Sequence, residues 1–418
     1  MFKEIKKCLI CGNKNLVPIL NLGMQSLTGV FPKRKNMLVE QGPLQLVKCE
    51  EGRNGKNCGL VQMRHIYDSR NLYGETYGYR SGLNDSMVKH LHLKVKRILK
   101  KVKLSPRDVV IDIGSNDSTL LQGYSGKTLR LFGIDPLGEK MRKYYPSHIH
   151  LVADFFNKKV LEQYIGSQKA KIITSISMFY DLADPLAFMQ QVYELLSDNG
   201  VWVFEQSYMP TMLAMNSYDT VCHEHLEYYR LKQIKWMTDR VGFKIIDVEF
   251  NKINGGSFSV MVAKQGSSYC EAQVLVSRIL KTEEKLGLDT LAPYRAFRKK
   301  VSQHKKKFQI QIRKLNKSGK KVFGYGASTK GNVILQYCGL REKDIPFIAE
   351  VNVDKFGAYA PGTRIPIISE QDAKAMKPDY FVVLPWHFKD NIILREKRFL
   401  KEGGKLLFPL PYQEVVKS

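Results

Sequence analysis

No stretch of this 418-residue chain approaches the roughly 20 consecutive apolar residues that a membrane-spanning helix requires, and no membrane-embedded role is expected. The opening residues, MFKEIKKCLI, lack the sustained apolar core of a secretory signal. A cytoplasmic location is the expectation, and reduced cysteines with it. Acids are outnumbered, with 40 Asp and Glu against 66 Lys and Arg and a formal net charge of +26. Such an excess is either a footprint for RNA or a set of solvated helix faces. The lysines are spread along the chain and densest over Lys94–Lys103 and Lys299–Lys321, in runs such as KVKRILKKVK that read as solvated faces. No nucleic acid is therefore the expected partner. The same balance suits a small, doubly anionic nucleotide diphosphate. Two phosphate signatures are missing as well: neither G-x-G-x-x-G nor a Walker A loop is present.

What is there begins with length, enough for two to four domains and more than one core. The organising stretch is VVIDIGSNDSTLL, Val109 to Leu121. A β-branched run, as in a buried parallel strand, ends in a short polar turn, and Ser118-Thr119-Leu120-Leu121 reads as the start of a helix. Strand, turn and helix are how a Rossmann-type sheet receives a cofactor beyond its carboxyl edge. Here the turn offers Asp112 and Asp117, with Gly114 and Asn116 between them, where a dinucleotide's pyrophosphate needs bare N–H groups. Acids suit a ligand carrying positive charge and hydroxyls, which points to S-adenosylmethionine. Further strand ends follow at Asp135-Pro136, Asp154-Phe155, Ser177 and Glu205, and together they form one cofactor-binding edge. Asp135 lies some twenty residues past the glycine turn, where a ribose-binding carboxylate is expected.

Four of the seven cysteines lie near the start. Cys8 and Cys11 form a C-x-x-C-G knuckle; Cys49 and Cys58 follow across a wider polar loop. Paired cysteines in a reduced compartment favour a closed tetrahedral zinc, structural and without chemistry of its own. The expected organisation is α/β: a zinc-binding domain over 1–80, a Rossmann-like S-adenosylmethionine methyltransferase domain over 81–265, a helical connector over 266–316, and a C-terminal Rossmann-like substrate-binding domain over 317–418. The last opens on Lys321 to Asn332, KVFGYGASTKGN, a strand, a glycine turn and a helix start with hydroxyls and a lysine, as an anion site requires.

Chemistry gathers in DTVCHEHLEYY, Asp219 to Tyr229. Three readings of His223-Glu224-His225 compete. One is a polar loop with a satisfied histidine. The second is metal ligation by two histidines and a carboxylate, with His387 as a distant third ligand. The third is general-base work, since an imidazole titrates near neutrality and can take a proton from carbon.

The order of these features resembles the nucleotide-sugar C-methyltransferases of deoxysugar biosynthesis. The resemblance covers essentially the whole chain through the cysteine pairs, YGYRSGLNDSM, IDIGSND, DTVCHEHLEYY, the segment Asn254 to Ser257, and GYGASTKGN. It implies an N-terminal zinc-binding domain, a central S-adenosylmethionine-binding domain and a C-terminal Rossmann-like domain. It implies C-methylation at C-3 of a nucleotide-diphosphate-linked 4-keto-6-deoxyhexose, in which the ketone acidifies the C-3 proton and the enolate carbon takes the methyl group. On that resemblance His225 is the base, Glu224 stands beside it, and Tyr77 joins the catalytic set. The expected substrate contacts are Tyr79, Arg80, Asn254, Gly255, Ser328, Thr329, Lys330, Asn332 and His387. Cys222 is a departure, because some members carry tyrosine there. A monomer suffices for this scheme. An RNA methyltransferase is the alternative enzyme, and a zinc-ribbon interaction protein the non-enzymatic one.

Overall fold

The computed structural model describes residues 2–50, 57–68, 72, 79–124 and 128–418. Its N-terminal part is antiparallel. Strands β2 (Leu16–Ser26), β3 (Gln41–Cys49) and β4 (Val61–Met63) form a sheet, and β1 (Lys3–Glu4) pairs with β5 (His65–Ile66) beside it. The free edge of β4 is taken by β11 (Glu227–Tyr228), which arrives from the next domain.

The central sheet holds seven strands in the order β12 (Phe243–Asn251), β13 (Ser257–Lys264), β10 (Leu196–Ser207), β9 (Ala170–Ile176), β6 (Val109–Ile113), β7 (Arg130–Ile134) and β8 (Ile149–Val152). Only β13 runs against its neighbours. All five residues of β6 are buried, as the apolar run Val109-Val110-Ile111 demands of a strand covered on both faces. Chain order turns around between β6 and β9, where Asp112 stands in register with Thr174. That is the switch point at which an open α/β sheet makes its ligand crevice.

The C-terminal sheet repeats the device in the order β16 (Ile367–Ser369), β15 (Ile348–Glu350), β14 (Val322–Tyr325), β17 (Tyr380–Val383), β18 (Lys405–Phe408) and β19 (Glu414–Val416), parallel except for β19. Its switch point lies between β14 and β17. There Gly326 has φ +81°, and a Cβ on it would meet Pro385 at 2.7 Å. Between the two sheets run helices Gln273–Lys285 and Ala292–Lys317; the second buries Tyr294, Phe297, Val301, Phe308 and Ile312. One continuous apolar core joins that helix to β2, β3 and the C-terminal sheet.

The turn after β6 differs from the expected helix start. Ser118 has φ 63° and the chain makes only a 3-10 turn at Leu121–Gly123. The positive φ of Ser118 takes the chain out of helical geometry there, while Asp117 ties the turn by accepting from the Thr119 N–H and hydroxyl (3.3 and 2.5 Å).

Candidate functional site

Both switch points open into one cleft of about 1060 Å³, walled also by Phe31, Ile66 and Tyr67 of the N-terminal part. On the central-sheet side, Asp112 is buried and receives the Thr174 hydroxyl at 2.5 Å. Burial pushes its carboxyl up to about 7, against the pull of Thr174 and with a push from Asp135. Asp135 accepts from the backbone N–H groups of Asn116 and Leu137, both at 2.8 Å, which aims its carboxylate along the cleft wall. Gly114 has φ +73°, and a Cβ on it would meet the Met178 side chain at 3.1 Å. Asn116, Pro136, Phe155 and Ser177 line the same wall.

Other predicted contacts stand elsewhere. The second oxygen of Asp117 accepts from the Gly82 N–H (2.8 Å) and, with Asn116 accepting from Ser81 N–H (3.0 Å), fastens the 80–84 segment over the turn. Asp154 turns its carboxylate to the Phe155 N–H (2.7 Å) and does not wall the cleft. Tyr79 and Arg80 do, with the Arg80 guanidinium 4.2 Å from the Tyr144 ring. Tyr77 lies outside the described residues.

The HEH segment separates its members. His223 is buried, donates through Nε2 to the Gly42 carbonyl (3.4 Å) and meets the Tyr67 ring edge-on at 4.7 Å. Burial drives it down to about 4, and it packs as an apolar residue would. His225 lines the cleft with Nδ1 donating to the Thr220 carbonyl at 2.8 Å. That bond fixes the tautomer with the lone pair on Nε2, which has no hydrogen-bond partner among the described residues. Burial, and next the charge of Lys330, holds His225 down at about 3, so it is a neutral acceptor at physiological pH. Glu224 lines the cleft too; burial raises its carboxyl, and Thr28 donates to it at 3.3 Å.

From the C-terminal side come Ser328, Thr329, Lys330 and His387. Ser328 caps helix Thr329–Tyr337 by accepting from the Gly331 N–H (3.0 Å). Lys330 donates to the carbonyl of Asn254 at 3.0 Å, and Asn254 also faces the cleft. Gly255 instead packs on the Trp386 ring, and Asn332 donates to the Thr28 carbonyl (2.8 Å), tying two domains together. Two wall residues, Tyr180 and Glu350, were not among the expected contacts. Tyr180 crosses the His225 ring at 4.4 Å. Glu350, at the end of β15, accepts from the Ala327, Val351 and Asn352 N–H groups (2.8, 2.8 and 2.9 Å). Its place one strand after a glycine turn, matching that of Asp135, was the available clue.

The four cysteines converge as expected. The sulfurs of Cys8, Cys11, Cys49 and Cys58 all lie within 4.8 Å of one another, with Cys8–Cys58 at 3.4 Å and Cys11–Cys49 at 3.6 Å. Tetrahedral Zn–S bonds of about 2.3 Å place thiolates about that far apart, so a structural zinc fits them. Asn13 donates to Cys49 Sγ at 3.4 Å, which suits a thiolate. Among the described residues this is the one group placed to hold a metal; His223, His225 and His387 do not form another.

These features define a class first. Residues 87–248 match the family of methyltransferase domains, and a cleft with acids at the ends of β6 and β7 fits S-adenosylmethionine. Solved structures with similar folds include an S-adenosylmethionine-dependent methyltransferase from Clostridium acetobutylicum (11% identity, 43% of this chain, 92% of that one, TM-score 0.34). Another is the CcbJ methyltransferase from Streptomyces caelestis (11% identity, 42% and 89%, TM-score 0.33). Residues 8–73 match a zinc binding domain family and residues 252–411 the C-methyltransferase C-terminal domain. C-methyltransferase NovU of Streptomyces niveus is 27% identical over 425 residues, covering 100% of this chain and 98% of its own. The chain is a methyltransferase homologous to an S-adenosylmethionine-dependent C-methyltransferase over its full length, with matches to the three domain families in this order.

Proposed function

We propose that the enzyme methylates carbon 3 of a nucleotide-diphosphate-linked 4-keto-6-deoxyhexose, with His225 as the base. One observation carries this reading: a neutral imidazole with a fixed tautomer and a free Nε2 stands where the two switch points meet. A ketone beside the reacting carbon is what lets so weak a base remove a proton from carbon. Bound S-adenosylmethionine supplies an electrophilic methyl group carrying positive charge, which Asp112 and Asp135 suit. Asp135 serves the ribose hydroxyls, and Phe155 offers a face to the adenine. On the other side, the N-terminus of helix Thr329–Tyr337, with Ser328 and Thr329, suits the diphosphate. Tyr79 and Arg80 close over the sugar, and Glu224 orients it. Base catalysis contributes about 10²–10⁴ in rate. Donors aimed at the enolate oxygen add about 3 kcal/mol each. Orientation in one cleft supplies the rest.

The test is mass spectrometry after incubation with S-adenosylmethionine and a panel of dTDP-, GDP- and CDP-linked 4-keto-6-deoxyhexoses deuterated at carbon 3. Gain of one methyl group with loss of that deuterium is expected. A methyl gained with the deuterium retained would place the reaction on another atom. His225→Ala is expected to lose turnover while still binding S-adenosylmethionine, and near-normal turnover would remove it as the base.

A further inference from the structure

The glycine turn suggests a lysine for the diphosphate, but the side chain goes elsewhere. We propose that Lys330 is a catalytic residue that opposes the charge developing on the substrate's 4-oxygen, and that Asp219 is its positioning residue. This rests on the reading of an enolate formed by His225.

Lys330 sits in the first turn of helix Thr329–Tyr337, yet its ammonium leaves that helix end and reaches the central domain, donating to the carbonyl of Asn254 at 3.0 Å. Asn254 is held in a left-handed conformation (φ 55°) within the turn Ile253–Gly255. That turn is braced by Trp386, whose ring would lie 3.2 Å from a Cβ on Gly255. Trp386 in turn donates its Nε1–H to Asp219 Oδ2 at 2.7 Å. Asp219 has no solvent exposure, and its Oδ1 has no hydrogen-bond partner among the described residues. A carboxylate buried this way persists only opposite a cation. Burial raises the carboxyl of Asp219 and lowers the ammonium of Lys330, and the charge of each works against that shift in the other, which makes Lys330 the cation that Asp219 answers to.

The titratable groups facing Lys330 come from every element around it: Asp219 from the turn Tyr218–Thr220, Cys222 and His225 from the following loop, and His387 from the turn Trp386–Phe388. Lys330 and His225 wall the same cleft, and the positive charge of the lysine is felt at the imidazole. When the bond from hydrogen to carbon 3 breaks, the proton goes to His225 Nε2 and the electron pair spreads onto the 4-oxygen. Lys330 meets that charge without giving up its own proton. The bond from carbon 3 to the methyl group then forms as the methyl–sulfur bond breaks, its electron pair staying on sulfur. A cation preorganised at the developing oxyanion lowers the barrier, whereas a diphosphate anchor lowers KM alone.

Lys330→Met, Lys330→Arg, Asp219→Asn and His225→Ala would be compared by steady-state kinetics across pH, each first checked for S-adenosylmethionine binding. In Lys330→Met, kcat is expected to fall about 10²–10³-fold, with KM for the nucleotide sugar within about threefold. Its acid limb in kcat/KM moves to higher pH, because His225 loses a positive charge that holds its imidazole down. Lys330→Arg recovers part of kcat. In Asp219→Asn the basic limb moves to lower pH, because Lys330 loses its counter-charge. A tenfold rise in KM with unchanged kcat would make Lys330 the diphosphate anchor and overturn the proposal. An unmoved acid limb in Lys330→Met would overturn it equally, and an unmoved basic limb in Asp219→Asn would remove Asp219. Retained turnover in His225→Ala would fail the base assignment instead, independently of how kcat and KM divide in the lysine variants.

Discussion

Two residues apart, His223 and His225 do unrelated work. The sequence sets them as a pair, but the bonds that separate them come from Gly42, Tyr67 and Thr220, distant or backbone partners that spacing does not reveal. Asp117, Asp154 and Asn332 show the same limit: position along the chain was legible, while the neighbouring N–H or carbonyl that captured each side chain was not. Asp112 yields a test at this scale. Its carboxyl, raised to about 7 by burial, must ionise to favour a cationic ligand. Ionisation increases as pH rises through 7, so S-adenosylmethionine affinity is expected to strengthen by up to about tenfold from pH 6 to pH 8. Asp112→Asn is expected to flatten that slope in calorimetry. A pH-independent affinity in the unaltered enzyme would place the sulfonium away from Asp112.

At the scale of elements, strands were the easiest feature to read. Apolar runs ending in an acid or a glycine turn marked β6, β7, β9, β10 and β14, because burial on both faces leaves little choice of residue. The helix expected after β6 is absent because Ser118 sits at a positive φ, outside helical geometry. The equivalent helix after β14 forms, since Ser328 caps it. Gly326 is the hinge of that second turn. Gly326→Val would combine a strained φ with a collision against Pro385 and is expected to cost about 2 kcal/mol or more, read as a lower denaturant midpoint with weaker nucleotide-sugar binding. Unchanged stability would show that the β14–β17 junction yields easily.

Across the whole molecule, the site is a product of three domains meeting, which no local pattern announces. The loop after β2 is the wedge. Ser26 exchanges two bonds with Gln336 (2.8 and 3.1 Å), Thr28 touches Glu224 and Asn332, and Pro32 accepts from Tyr359 N–H at 2.9 Å. Gln336→Leu removes both Ser26 bonds and leaves buried backbone groups unmet, an expected loss of about 2 kcal/mol with a raised KM for the sugar substrate. An unaltered KM would separate the wedge from substrate binding. Zinc enters at the same level. Gln233 donates to the Cys58 carbonyl at 2.7 Å, so the cysteine cluster is locked to the central domain. Elemental analysis is expected to find one zinc per chain, and chelation to lower the thermal transition; zinc-free protein with the same transition would exclude a structural metal.

The β4–β11 pairing has a further consequence during synthesis. The strand that covers β4 is encoded more than 150 residues downstream, so a nascent N-terminal domain leaves the ribosome with a bare sheet edge. Until Glu227 and Tyr228 emerge, that edge is open to any extended chain nearby. The zinc knuckle can form early and hold the unfinished sheet in register. Metal supply at the moment of translation would then govern how much chain reaches the finished fold.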